Sequence, residues 1–177
     1  LTSTQLSEGL SILTASADDE SALELDGEGV FTSLLVGALQ GGAADLRGHI
    51  TPGSLYAYVD EALGAWDQRP IFKTNVSTFA PLRTIAPKVP FEQMRKMTEY
   101  FESPDAAHEL DPSYEDTEES ADPEKVKIFK ILQKFQSVGL VVPVDADYMY
   151  FAAMESKSCR LTALGYQYWR LVKEKKL

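Results

Sequence analysis

The chain reads as an α/β protein built from two modules, and three observations carry that reading. A short apolar run, Gly9 to Ala15, is followed by two segments with helical spacing of apolar residues, 29–40 and 51–65. The last third places an amphipathic helix, two strand-like segments and a closing helix in another order. The charge divides with them: residues 1–122 carry 7 Lys and Arg against 22 Asp and Glu, a net of -15, and residues 123–177 carry 10 against 5, a net of +5.

Gly9-Leu10-Ser11-Ile12-Leu13-Thr14-Ala15 has the length of one strand, and its apolar character predicts a buried strand in a mostly parallel sheet. Residues 16–28 place Asp18, Asp19, Glu20, Glu24 and Asp26 ahead of Gly27 and read as a loop. Over 29–40, Phe31, Leu34, Leu35, Ala38 and Leu39 share a helical face, and Gly41-Gly42 ends the helix. Thr51 is an N-cap with Pro52 in the first turn, opening a helix to about Ala65 with Leu55, Val59, Ala62 and Leu63 inward. Arg69-Pro70 breaks the chain, and Ile71 to Phe79 holds short strand that completes a sheet edge.

Pro81, Pro87 and Pro90 make 81–90 a connector, and a helix from Phe91 to Phe101 follows. Residues 102–122 contain nine acids and no Lys or Arg, which predicts a solvated or disordered insert. Order resumes at Pro123: Val126, Phe129, Ile131, Leu132, Phe135 and Val138 define an amphipathic helix stopped at Gly139. Leu140 to Val144 and Tyr148 to Met154 flank Asp145-Ala146-Asp147, a hairpin signal, and Thr162 caps the last helix. The expected domains are 1–85, a connector helix with the acidic insert at 86–122, and 123–177, with the helix at 91–101 attached to the last.

With 177 residues and 44% hydrophobic side chains, the chain holds one ordinary domain or two small ones, each able to bury a core. The single cysteine, Cys159, allows no internal disulfide, which fits a cytoplasmic setting. No apolar run approaches 18 residues, and residues 1–10 lack a basic region and an apolar core, so neither a membrane span nor a signal peptide is expected.

Ala15-Ser16 with Asp19, Ala22 and Glu24, and Gly48-His49-Ile50-Thr51 with Leu55, mark two stretches of the first module that resemble the small-subunit half of the caspase and metacaspase family. Ala15, Ser16, Asp19, Ala22 and Glu24 match an Ala-Ser-x-x-Asp-Gln-x-Ala-x-Glu pattern frequent in bacterial caspase-like proteins, with Glu20 where Gln is common. Gly48-His49-Ile50-Thr51 with Leu55 and Tyr58-Val59 resembles the Gly-x-Ile-Thr-x-x-Glu-Leu-x-x-Tyr-Val stretch that opens the next helix, Ser54 replacing Glu, and Gln68-Arg69-Pro70 resembles the Gln-x-Pro after it. The match covers about residues 10–80. It implies half of a caspase-like sheet, and an S1 pocket for Arg or Lys whose carboxylate is Asp19, with Asp18 second. Such a pocket needs a fixed carboxylate for paired hydrogen bonds. At an effective dielectric near 20, a charge pair about 4 Å apart is worth roughly 4 kcal/mol before desolvation. The alternative for 18–26 is a plain charged loop, or a calcium-attracting one as in some metacaspases; no other cofactor is implied.

In this family the catalytic His and Cys precede the strand at 10–15, so the resemblance implies no catalytic residue in this chain. It implies a large-subunit chain or segment that carries both, a protein substrate, and Leu1 near an autoproteolytic cleavage. Cys159, flanked by Lys157 and Arg160, lies in the second module, His108 in the acidic run and His49 in a helix-start loop. They read as a half-buried thiol and two surface histidines, and one Cys with two distant His makes no metal site.

Helix, helix, hairpin, helix is a winged-helix-like order, and Leu161-Thr162-Ala163-Leu164-Gly165-Tyr166 with Tyr168-Trp169 resembles the closing helix of many winged-helix domains. Lys125, Lys127, Lys130 and Lys134 on one helix and Arg170, Lys173, Lys175 and Lys176 on the other offer phosphate contacts. The acidic turn at 145–147, the neighbouring acids and the pI of about 4.7 argue against nucleic acid and for a regulatory protein, an oligomer partner or the protease half itself. The aromatics Tyr148, Tyr150, Phe151, Tyr166, Tyr168 and Trp169 read as core plus a contact patch. The expected function is the small-subunit part of a caspase-like cysteine endopeptidase cleaving after Arg or Lys, in a setting such as bacterial defence. The alternatives are a non-catalytic caspase-fold adaptor and a winged-helix nucleic-acid-binding regulator.

Overall fold

The computed structural model describes residues 7–15, 24–25, 28–64 and 70–177. The chain mixes α and β structure and divides into two compact units, Leu1–Pro87 and Lys88–Leu177.

The first unit contains β1 (Ser11–Thr14), β2 (Glu24–Leu25), β3 (Glu28–Gly29), α1 (Val30–Gly37), β4 (His49–Ile50), α2 (Pro52–Leu63), β5 (Ile71–Thr74) and β6 (Arg83–Thr84). β1 pairs antiparallel with β5, Ser11 opposite Thr74 and Thr14 opposite Ile71. This corrects the expectation of a parallel sheet: every ladder among the described residues is antiparallel. The strand is also less buried than its apolar run suggests, since Ile12 is 39% exposed. The loop expected through residue 28 is interrupted by the β2–β3 pair, Leu25 opposite Glu28.

α1 widens into a π-helical turn, Ala38–Gly42, and the glycines end it as expected, Gly41 standing at φ 137°. Residues after it fold back into β4, paired with β6, and Gly48 permits that return: at φ +82° a Cβ there would lie 2.1 Å from the Ile85 carbonyl oxygen. α2 starts at the Thr51 cap with Pro52 behind it and buries Leu55, Val59 and Leu63. Its first turn meets α1 over a small core of Ala38, Ala43, Ile50 and Leu55, ringed by Leu35, Leu39, Tyr58 and Ile85.

The second unit contains α3 (Phe91–Arg95), α4 (Met97–Tyr100), β7 (Ala107–Glu109), a 3-10 turn at Pro112–Tyr114, α5 (Pro123–Ser137), β8 (Val141–Val144), α6 (Met149–Met154), β9 (Ser158–Leu161) and α7 (Ala163–Lys173). The single helix expected at 91–101 is two short ones that meet at Lys96. The acidic run expected to be a disordered insert instead supplies β7 and a turn whose Tyr114 is buried. β7, β9 and β8 form one antiparallel sheet with β9 in the centre.

Residues 149–154, expected as the second hairpin strand, form α6. Met149, Ala152 and Ala153 are its buried residues, at helical spacing, and the strand that answers β8 is β9, Val141 opposite Leu161. α5 follows its sequence signals closely: Asp122 Oδ1 accepts from the Glu124 and Lys125 amides at 2.8 and 3.3 Å, Phe129, Leu132 and Phe135 are buried, and Gly139 (φ +75°) turns the chain into β8. α7 is capped by Thr162, whose Oγ1 accepts from the Gly165 amide at 3.0 Å and donates to the Gly139 carbonyl at 2.6 Å. Trp169 fixes α7 to the end of α4, its indole N–H donating to the Phe101 carbonyl at 2.8 Å in a buried setting. Phe101, Phe135, Met94, Met97 and Leu140 are among the largest fully buried side chains. Each removes enough apolar surface from water to contribute about 1.5–3 kcal/mol before its entropy cost.

Candidate functional site

β1 ends at Thr14, and Asp18 and Asp19 follow it in sequence. Both lie outside the described residues, as do Ser16, Glu20 and Ala22. What is described is the strand pair that precedes them in sequence. Leu13 and Phe72 are cross-strand partners, so they share one face of the β1–β5 pair, and there they line an apolar groove of about 700 Å³ with Leu35, Leu39, Leu55 and Phe79. Tyr56 of α2 stacks on Phe72, centroids 5.2 Å apart with planes at 17°. The opposite face carries Ile12 across from Lys73, and both are exposed.

The run from Gly48 to Thr51 does structural work. Asp45 Oδ1 accepts from the amides of Arg47 and His49, both at 2.8 Å, which forms the turn into β4. His49 is half-buried beside that turn, and Ile50 is in the core. Ser54 makes the reciprocal half of the capping box: the Thr51 amide donates to its Oγ at 3.0 Å, while its own amide donates to Thr51 Oγ1 at 3.2 Å. Ser54 thus fills the N3 place that Glu or Gln takes in the common capping box.

Cys159 and His108 belong to the second unit, and the structure brings them together where sequence did not. They are direct partners on the β9 and β7 strands. The histidine is committed to its own unit, with Nδ1 2.9 Å from the Tyr100 carbonyl oxygen and Nε2 3.1 Å from the Tyr114 hydroxyl. Burial pushes the Cys159 thiol up to about 12, with Glu109 adding to the effect. A nucleophilic thiol needs the opposite environment, an electropositive one that favours thiolate. The expectation of a half-buried thiol is corrected to a fully buried one, and that of a surface His108 to a half-buried, hydrogen-bonded one.

The lysines of α5 are also engaged. Lys125 Nζ lies 2.6 Å from Asp111 Oδ2 and 5.1 Å from the centre of the Tyr114 ring. Lys127 pairs with Glu124 at 2.7 Å, Lys130 with Asp116 at 2.9 Å, and Lys134 donates to Gln93 Oε1 at 3.2 Å. Asp111 and Asp116 come from the acidic run, which therefore lies along the basic helix. The Lys125 ammonium and, after it, Ser113 hold the Asp111 carboxyl below the usual carboxylate range, and Lys130 does the same for Asp116. Burial holds Glu115 above that range, with Asp116 and Glu118 adding to it. Sequence reasoning counted these charges but had no signal for their pairing, because the partners lie 14 residues apart around a turn.

Among the described residues no group of three or more His, Cys, Asp or Glu side chains is placed to hold a metal ion, and no helix is long and apolar enough to cross a membrane. No protein-family model, no curated protein and no solved structure matches the chain.

Proposed function

We propose that the first unit is the small-subunit half of a caspase-like cysteine endopeptidase that cleaves after Arg or Lys, and that the second is a winged-helix-like accessory module. The observation that carries this is the β1–β5 pair, which among the described residues is two-stranded. α2 packs on one face of the pair and supports it, while the other face leaves the apolar side chain of Ile12 exposed, open to a further layer. An antiparallel strand is a common edge of an otherwise parallel sheet, and on this reading a companion segment adds the further strands together with the catalytic His and Cys. Asp18 and Asp19 follow the C-terminal end of β1 in sequence, and that end is where open α/β sheets bind their ligands. On this reading Asp19 receives the substrate guanidinium or ammonium, the companion's thiolate attacks the carbonyl that follows it, and the companion's imidazole protonates the leaving amine.

Support for the second half of the reading is topological. A helix runs directly into β8, the sheet has the order β7-β9-β8, and α7 closes over Leu140 and Leu161. Because the α5 lysines are engaged by acids or an amide of the same unit, the module is assigned a protein contact and not nucleic acid. The test is hydrolysis of fluorogenic Arg, Lys and Asp peptides by the tagged chain recovered with its companion from its own cells. Cleavage after Arg or Lys that Asp19→Ala lowers by roughly a hundredfold is expected. A companion complex without thiol-dependent hydrolysis makes the chain a non-catalytic adaptor instead.

A further inference from the structure

α6 turns Met149, Ala152 and Ala153 inward and three aromatic rings outward. Tyr148, at its N-cap, is 63% exposed, and Tyr150 and Phe151 are 44% and 45% exposed. The rings form one cluster: centroids are 6.1 Å apart for Tyr148 and Phe151, and 5.4 Å for Tyr150 and Phe151, the latter edge to face. Ring-on-ring packing holds the patch in shape before anything binds, which lowers the ordering cost of an encounter. A contiguous exposed patch rich in Tyr and Phe has the composition of an interface centre, not of ordinary surface.

Charge selects the occupant. Beside the rings is an open depression of about 560 Å³ lined by Asp145, Asp147, Phe151, Glu155 and Lys157. Lys157 is its one cation among the described residues, and it is engaged: Nζ sits 2.6 Å from Glu155 Oε2 and donates to the Asp145 carbonyl oxygen. Asp145 and Asp147 have no ion-pair partner among the described residues. A nucleic acid would bring phosphates against two free carboxylates, and a purely apolar partner would strip their water and return nothing. An arginine satisfies both halves, since its guanidinium plane stacks on an aromatic face while its edge donates in parallel to a carboxylate.

We propose that Tyr148, Tyr150 and Phe151, with Asp145 and Asp147 at their rim, form a docking surface for an arginine-bearing segment of a partner protein. The surface lies wholly in the second unit, so it stands or falls apart from the assignment of the first.

The experiment is fluorescence anisotropy of labelled tetra-arginine and tetra-glutamate peptides titrated with the full chain, in low salt and in 0.3 M salt. Tetra-arginine binds, tetra-glutamate does not, and Tyr148→Ala with Phe151→Ala weakens binding by about tenfold or more without changing any charge. Asp145→Asn with Asp147→Asn gives a loss of the same order, whereas Glu61→Gln, an exposed acid of the other unit, leaves binding unaltered. The aromatic positions are exposed, and circular dichroism of each variant verifies the fold. No binding of tetra-arginine, or equal binding by the aromatic double variant, overturns the proposal; the latter would reduce the interaction to the bulk charge of an acidic protein. Sedimentation that finds a dimer of the unmodified chain, dissolved by the same double variant, also overturns it by giving the patch to a second copy.

Discussion

His108 faces Cys159 across the β7–β9 ladder, and both of its ring nitrogens are taken by Tyr100 and Tyr114. The pair has the residue types of a protease dyad and none of its chemistry, because the thiol is buried and its ionisation is suppressed. It is a packing and hydrogen-bond centre that ties β7, and through it the acidic run, to the rest of the second unit.

Cys159 therefore resists alkylation in the folded protein. Its titration moves from 9.0 to about 12, so the folded state holds about a thousandfold less thiolate near pH 8. Iodoacetamide modification followed by mass spectrometry should be slow in buffer and fast in guanidinium chloride. Because the folded thiol keeps its proton longer, the stability it contributes is complete below about pH 9 and is lost as pH rises toward 12. Cys159→Ala should flatten that alkaline decline in urea unfolding curves, at a cost of about 1 kcal/mol at neutral pH.

Asp111 is the hinge of the acidic run. Its carboxylate accepts from the Ser113 amide at 2.9 Å, capping the 3-10 turn, and from Lys125 Nζ at 2.6 Å. Asp111→Asn keeps the cap and loses the ion pair, a cost of about 0.5 kcal/mol at a half-exposed site, and Asp111→Ala loses both, a cost of about 1–2 kcal/mol. The carboxyl is held below its ordinary 3.8, so its stabilisation is present above that pH and lost as the pH falls through the lower folded value. Urea midpoints of wild type and Asp111→Asn should converge in strong acid.

Gly165 lets the first turn of α7 lie on the β8 entry. A Cβ there would stand 2.0 Å from the Leu140 carbonyl oxygen, a backbone atom that cannot swing aside. Gly165→Ala should cost about 2–3 kcal/mol, read as a lower melting temperature and as loss of the Trp169 fluorescence environment.

The α5 lysines give a test against nucleic acid. With Lys125, Lys127 and Lys130 paired to Asp111, Glu124 and Asp116, a mobility shift on duplex DNA should show no retained complex at 0.15 M salt. Asp111→Asn with Asp116→Asn frees two cations and should raise binding at low salt by several fold, with a steeper salt dependence.

Local signals made much of this fold legible. Thr51-Pro52, Pro123 and Thr162 are helix-start signals whose chemistry acts within four residues, and α2, α5 and α7 begin beside them, although the Asp122 cap of α5 is not among the expected ones. β7 and β9 were not legible: three and four residues long, they exist because they pair across about 50 residues, and an acidic run hid one of them. α6 was misread because Tyr148 to Phe151 has strand-like composition and no side-chain cap, so burial of Met149, Ala152 and Ala153 decides the conformation. In the candidate site, the structural role of Gly48 to Thr51 was readable from cap chemistry, whereas the packing of His108, Tyr114 and Cys159 depends on tertiary contacts that no spacing encodes.

The most direct test of the central claim, a pocket carboxylate on this chain and a nucleophile on another, is labelling of the native assembly with a biotinylated arginyl chloromethyl ketone. The account predicts biotin on a cysteine of the companion polypeptide, chloride being displaced by its thiolate, with none on Cys159 and a sharp loss of label in Asp19→Ala. Label on Cys159, or a companion labelled equally well when Asp19 is alanine, would contradict it.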